Sequence, residues 1–360
     1  MTTGRMRLGL SLGYWGMGNN ADNLALAREA DRLGYSVAWA AEAYGSDAAT
    51  VLAWVAAQTT TMDVGSGVFQ IPARSAAMTA MTAATLDTLS GGRFRLGLGV
   101  SGPQVSEGWH GVRFDRPLGR TREYVDVVRM ALRRETVRYE GEHLTLPLPD
   151  GPGKAMKLTV HPVRAEIPVY LAAVGPKNLE LTGRIADGWL AIFFSPEHAH
   201  VSMDPLRAGR EAGDRASDAA DPMAGFDVVP TVPVVIGDDL EAAAAPLRGH
   251  GALYIGGMGS KEKNFYNALA HRMGFEAAAD EVQRLFLDRK HREAAAAVPA
   301  EFIDQTSLIG PRERIRDRLA AYAEAGVTTL SVSTFDATLD RRLHTIRTMA
   351  EVLDESGLGA

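Results

Sequence analysis

Ser90–Gly111 reads SGGRFRLGLGVSGPQVSEGWHG, and its parts differ in kind. An apolar helix ends at Leu89, and Gly91-Gly92 supply the backbone freedom to reverse direction. Phe94–Leu98 reads as a short buried strand. Gly99-Val100-Ser101-Gly102-Pro103 is too glycine-rich for a strand and too long for a tight turn. A loop of this kind at the C-terminal end of a buried strand can lay backbone N–H groups against an anion, most often a phosphate. A plain surface loop is the other reading of the same glycines. The pattern on either side decides between them.

Upstream, short apolar runs alternate with helical stretches. Arg7–Leu12 is a strand ending in Gly13-Tyr14-Trp15-Gly16, followed by a helix capped by Asn19 or Asn20, with Leu26, Ala30 and Leu33 on one face and Gly34 as its stop. Ser36–Ala41 is a second strand, leading into Glu42-Ala43-Tyr44-Gly45-Ser46-Asp47. Ser46 or Asp47 caps a helix burying Val51, Leu52 and Val55. Val64–Gln70 is a third strand, and Ser75–Leu89 a long helix after Ile71-Pro72. Strands recur about every thirty residues, the length of one βαβ unit.

Downstream the rhythm is interrupted and then resumes. Arg120–Arg134 reads as a helix, Glu135–Leu146 as an extended hairpin arm, and Asp150–Lys154 as a turn-rich excursion. Ile167–Ala172 is a fifth strand, after which Val174-Gly175-Pro176-Lys177 opens a helix. Gly188–Phe193 and Val228–Ile236 are the sixth and seventh strands. Gly256–Pro299 carries no convincing strand and reads as short helices. Pro311 starts a helix with Ile315, Leu319 and Tyr322 on one stripe, Thr328–Ser333 is the eighth strand, and a closing helix buries Leu343, Ile346, Ala350 and Leu353. Eight strands, each followed by a helix, predict a single (β/α)8 TIM barrel over residues 1–360, with insertions near 135–165 and 256–305. The absence of a G-x-G-x-x-G after the first strand disfavours an open dinucleotide-binding sheet.

Composition narrows the function. The 360 residues are 46% hydrophobic and 23% charged, with a net charge of −6 and no cysteine. There is no basic footprint for nucleic acid, and thiolate nucleophiles, disulfides and zinc-thiolate sites are excluded. No signal-like N-terminus and no apolar run of about 20 residues occurs, so a cytoplasmic protein without membrane contact is expected. Paired metal-ligand spacings, a G-x-S-x-G elbow and a P-loop are all missing, so no metal site is expected.

In a barrel, the strand C-termini converge on one mouth, which gathers Tyr14, Trp15, Glu42, Tyr44, Phe69, Ser101 and Lys177. Val174–Lys177 is a second strand-to-helix turn with a cation beside it. With Gly99–Pro103 it can clamp one phosphate from two sides, against a competing role as simple capping. Glu42, at the end of an apolar strand, is an acid/base candidate, a hydrogen-bond anchor or a rim charge. His110, beside Trp109, is the histidine best placed for proton transfer, although a lone loop histidine is more often structural. Gly67 within the third strand implies a bulge or a close backbone approach.

The runs Trp39–Asp47, Leu86–Phe94, Leu96–Pro103, Glu107–Gly111, Ala186–Trp189 and Gly256–Ser260 with Asn264–Tyr266 resemble, in order and spacing, the luciferase-like flavin/deazaflavin oxidoreductases. Within them the chain is similar to the actinobacterial coenzyme F420-dependent branch, related to methylene-tetrahydromethanopterin reductase. The resemblance implies a deazaflavin in the barrel mouth, its ring on a non-prolyl cis-peptide bulge at Gly67-Val68. Its phosphate would meet Ser101-Gly102 and Gly175-Pro176-Lys177. The cofactor-binding set it implies is Gly13, Trp15, Glu42, Gly67, Val68, Phe69, Val100, Ser101, Gly102, Pro103, Val105, Gly108, Val174, Gly175, Pro176 and Lys177, with Glu42 and His110 as catalytic candidates. The implied reaction is hydride transfer between F420 and a C=C, C=N or C=O of a small-molecule substrate, in a homodimer. The rivals are an FMN-dependent monooxygenase and a non-catalytic flavin-binding protein. The Ser-Asp-His run and the glutamate of sugar-phosphate dehydrogenases are replaced here by Glu42-Ala43-Tyr44 and Gly102, which disfavours that substrate class.

Overall fold

The alternation of short β-branched and apolar runs with amphipathic stretches closes into a barrel. A computed structural model describes residues 5–16, 20–164, 166–213, 220–260 and 263–359. Its strands are β1 (Arg7–Leu12), β2 (Val37–Ala40), β3 (Asp63–Ser66), β4 (Phe69–Gln70), β5 (Phe94–Gly99), a hairpin of β6 (Tyr139–Glu140) and β7 (Thr145–Leu146), β8 (Val169–Ala172), β9 (Gly188–Ile192), β10 (Asp227–Ile236), a second hairpin of β11 (Gly259–Ser260) and β12 (Lys263–Asn264), β13 (Leu308–Gly310) and β14 (Thr329–Thr334). The ring runs β10-β14-β1-β2-β3-β5-β8-β9 and closes where β9 pairs back onto β10, every pairing parallel. This is the (β/α)8 barrel.

The helices are α1 (Asn20–Arg32), α2 (Ala48–Ala56), α3 (Ala76–Leu89), α4 (Pro103–Gly108), α5 (Pro117–Leu132), α6 (Pro176–Ile185), α7 (His200–Ala212), α8 (Leu240–Ala252), α9 (Phe265–Arg272), α10 (Glu276–Leu287), α11 (His291–Ala296), α12 (Ala300–Gln305), α13 (Arg312–Glu324) and α14 (Leu339–Ser356). Among the described residues, none is long and apolar enough to cross a membrane. Starts follow local chemistry: Asp47 accepts the Thr50 amide at 2.9 Å to cap α2, and Ser75 accepts that of Met78 at 3.1 Å to cap α3. Of the two asparagines read as caps for α1, Asn20 is its first residue and Asn19 lies outside the described residues.

The barrel interior is filled from several strands at once. Val37, Trp39, Tyr170 and Val229 form a buried cluster of their own, with the Trp39 and Tyr170 rings edge-to-face at 5.2 Å. The floor is polar. Asp227, the first residue of β10, takes Tyr170 Oη at 2.9 Å, Arg95 Nη1 at 3.2 Å, Thr329 Oγ1 at 2.8 Å and Arg7 Nη2 at 3.1 Å, while Arg95 Nε reaches Asp63 at 2.7 Å. Each member lies at a strand start, so these charges are compensated within a ring that seals the end opposite the mouth.

The expected elements shift in four places. The third strand is not continuous: β3 stops at Ser66 and β4 resumes at Phe69 on β5, with the Gly67–Val68 peptide cis between them. The extended arm over 135–146 contracts to two two-residue strands, because most of its backbone packs as irregular chain. A strand expected from no periodicity, β13, lies beside the end of β10; Val234 pairs with Leu308 and with Thr334, so β13 occupies the side away from β14. In α14 the buried stripe centres on Ile346, Met349, Val352 and Leu353, with Leu343 and Ala350 only partly covered.

Candidate functional site

The strand tips are joined by a short polar chain. Glu42, 8% exposed after β2, takes the Gln70 amide at 3.1 Å on one oxygen and Arg74 Nη2 on the other. Arg74 also reaches Asp47 at 2.7 Å and lies 4.7 Å over the Phe69 ring. Burial pushes the Asp47 carboxyl up, but the Thr50 hydrogen bonds and the Arg74 charge outweigh it and hold it below its usual range. The Gln70 amide nitrogen donates to the Ala43 carbonyl, and its oxygen accepts from Ser101 Oγ at 2.8 Å. Glu42, Gln70 and Ser101 therefore lock the tips of β2, β4 and β5 together. Ala43 (φ 43°) and Ser101 (φ 61°) hold left-handed conformations in doing so.

The two loops read as an anion clamp emerge side by side, since Gly99 and Ala172 are register partners at the ends of β5 and β8. Pro176 opens α6 without an N–H, Gly175 caps it with no side chain, and Asn178 and Leu179 donate to the Gly175 carbonyl. The Lys177 amide has no acceptor among the described residues. A Cβ at Gly175 would meet no atom within 4 Å, and one at Gly102 only the Gln104 side chain at 3.5 Å, so both loops border open space. Lys177 is exposed.

The late insertion contributes what sequence reasoning missed. Arg272, the last residue of α9, donates Nη2 to the Val174 carbonyl at 2.9 Å, and its Nε is buried without a partner. Desolvation lowers its pKa. At its other end α9 sets Phe265 6.5 Å from Phe114, so this helix runs from the loop after β8 to the segment beyond α4. Arg272 carried no local signal, being one arginine at a helix end ninety-eight residues from the carbonyl it touches. Gln70 and Arg74 were legible in principle, because a carboxylate at a buried strand tip needs a cation and a donor.

Of the remaining candidates, Trp15 follows β1 and accepts placement from Ser46, whose Oγ takes the Trp15 amide at 3.2 Å. Its indole Nε1 and the Nε2 of His110 are buried and unpartnered. Gly13 follows β1 directly, while Val105 and Gly108 lie in α4. Val68 leans toward Gly99, whose Cβ would come within 2.6 Å of it. Glu42, with both oxygens engaged by the protein, is held as an anchor.

Aromatic rings cover the rest of the mouth. Phe193, directly after β9, lies 5.5 Å from both His250 and Tyr254. His250 is 4.7 Å from Tyr254 and 5.4 Å from Phe335, which directly follows β14. Burial brings the His250 pKa down to about 4, leaving a neutral imidazole. Burial, followed by the neighbouring phenols of Tyr14 and Tyr44, pushes Tyr254 up to about 12.

Comparison with known proteins agrees with this architecture. A profile of the luciferase-like monooxygenase family matches residues 6–329. A Mycobacterium tuberculosis protein described as a candidate coenzyme F420-dependent oxidoreductase is 44% identical over 333 residues, 91% of this chain and 95% of its own. The 5,10-methylenetetrahydromethanopterin reductase of Archaeoglobus fulgidus is 27% identical over 83% of this chain and 85% of its own. Among solved structures, the coenzyme F420-dependent tetrahydromethanopterin reductase of Methanopyrus kandleri superposes with a TM-score of 0.80 at 22% identity, covering 96% of this chain and 98% of that one.

Proposed function

Since the chain belongs to the luciferase-like monooxygenase family, we propose that it is a coenzyme F420-dependent oxidoreductase acting on a small organic substrate with a C=C, C=N or C=O group. The observation that carries this reading is the pair of register-matched loops after β5 and β8, bordered by open space and by the unpartnered Nε of Arg272. That donor set fits a phosphate. The 44% identical relative and the methanopterin reductases support a deazaflavin in preference to FMN.

When bound, the reduced deazaflavin supplies the hydride, and the protein supplies position and surroundings. Ser101, Gly102 and Pro103 on one side, with Val174, Gly175, Pro176, Lys177 and Arg272 on the other, would hold the phosphate. A hollow lined by Val100, Ser106, Arg113, Asp115 and Arg120 lies beside the first loop, and its two arginines against one carboxylate leave it net positive toward an acidic tail. Gly13, Trp15, the Gly67–Val68 peptide and Phe69 would border the ring, and Val105 and Gly108 the outer edge of the loop. Glu42 acts as a positioning residue through Gln70 and Arg74. His110 offers an uncommitted ring nitrogen for proton movement at the rim. A single-domain chain paired two-fold with a second copy is part of the same reading.

Titrating purified protein with oxidised F420 and with FMN, following ring fluorescence, tests it. Saturable F420 binding, followed by substrate-dependent oxidation of the reduced cofactor without oxygen, is expected. Tight FMN binding with none for F420 would favour a flavin monooxygenase instead.

A further inference from the structure

The anion-binding loops follow β5 and β8, the fourth and fifth strands of the ring counted from β1. Directly across the barrel stand β14 and β1, whose tips carry Phe335 and Tyr14. A molecule anchored at the first pair and reaching the centre turns its far side toward the second. That far side is walled by Tyr14, Tyr44, Phe193, Phe335, and His250 and Tyr254 from the α8 region, supplied by five neighbouring positions of the ring. The wall is aromatic but not purely apolar. Among the described residues, neither the His250 ring nitrogens nor the Tyr254 hydroxyl has a hydrogen-bond partner in the protein, and neither is closed off from solvent. An imidazole and a phenol left open to solvent in an aromatic wall can take up a ligand's polar group without giving up a bond to the protein.

Among the described residues, no charged group perturbs either side chain: burial alone shifts His250, and burial with two other phenols shifts Tyr254. An ionic group placed against this wall would lose its hydration without compensation. A flat π-system would meet ring faces and edges already set steeply to one another, at 77° for Phe193–Tyr254 and 71° for His250–Phe335. A phenol donor beside a neutral imidazole, which has one donor and one acceptor, suits a carbonyl oxygen or the hydroxyl it becomes.

We propose that this wall is the substrate subsite, and that it takes an uncharged, flat, conjugated carbonyl compound or the matching alcohol, with the Tyr254 hydroxyl donating to its oxygen. The inference rests on the F420 reading for the orientation of the bound cofactor.

The test uses benzylideneacetone and its para-carboxylate as probes. Their dissociation constants are measured by calorimetry on the full chain with and without oxidised F420, for wild type and Tyr254→Phe, beside the F420 dissociation constant of each protein. Benzylideneacetone is expected to bind wild type, about three- to tenfold more weakly to Tyr254→Phe, as loss of one hydrogen bond requires. The carboxylate should bind at least tenfold more weakly than the neutral ketone, and F420 affinity should be the same in both proteins. Equal ketone binding by the variant, equal binding of the two probes, no ketone binding by wild type, or weakened F420 binding in the variant would each overturn the proposal. Failure of wild type to bind F420 would overturn the cofactor reading alone, because the ketone measurements on cofactor-free protein still decide the subsite.

Discussion

Replacing Arg272 by Met removes one guanidinium at nearly constant side-chain length, and the structure sets what should be lost. The guanidinium has five N–H donors; one goes to the Val174 carbonyl at 2.9 Å, and the buried Nε–H has no partner. A phosphate arriving between the loops would accept from that fork. A hydrogen bond to a charged group contributes about 1.5–3 kcal/mol. Arg272 is only partly buried, so solvent screening favours the lower end, about 1.5–2 kcal/mol, or roughly a ten- to thirtyfold rise in the F420 dissociation constant. Lys177 is exposed, and Lys177→Ala should cost less, about 1 kcal/mol or under. The assay is fluorescence titration with F420 and with the same deazaflavin lacking its phosphate and tail. Arg272→Met should weaken only the first, and Arg272→Lys should recover part of the loss. An equal loss for both ligands would mean that Arg272 merely holds the Val174 loop. No loss for either would remove it from the site.

Three further outcomes follow from the same structure. A Cβ at position 97 would sit 1.9 Å from the Ser66 carbonyl oxygen, so Gly97→Ala should cost about 3 kcal/mol or prevent folding; an unchanged urea midpoint would contradict the close approach of β5 to the Gly67–Val68 turn. Asp227→Ala leaves Arg95 without one of its two carboxylates in the barrel floor and should cost about 3–5 kcal/mol, read by thermal or urea unfolding; a loss below about 1 kcal/mol would contradict a compensated floor. His250, with its pKa lowered to about 4 by burial against about 6.5 in the unfolded chain, binds fewer protons when folded. Its contribution is therefore present above about pH 6.5 and is lost as pH falls through the window down to about 4. His250→Gln should flatten the stability profile over that window, and an unchanged slope would contradict the buried neutral ring.

Much of the barrel was written locally. β-branched and apolar runs, caps such as Asp47 and Ser75, and stops such as Gly34 each depend on a few neighbouring residues, so strand and helix order could be read directly. The break at Gly67–Val68 was visible as a glycine inside a strand, but a pairing that skips two residues is set by β5 across the gap. β13 is three residues long and has no period to detect; it exists because β10 overruns β9 and offers an open edge. The same division holds at the site. Glu42, Ser101 and Gly175 announce themselves by sitting at strand ends, whereas Arg272, His250 and Tyr254 gain their places only when distant segments fold onto the mouth. Glu42 shows a third case: its position was legible, but its engagement on both oxygens depended on Arg74, thirty-two residues away.

The most direct measurement is a crystal structure of the protein with oxidised F420 bound. The account predicts the phosphate between Ser101–Pro103 and Gly175–Lys177, within hydrogen-bond distance of Arg272, and the ring over Gly67–Val68 with its far face toward Tyr254. Density for the phosphate at any other part of the barrel, or a ring outside the mouth, would contradict it.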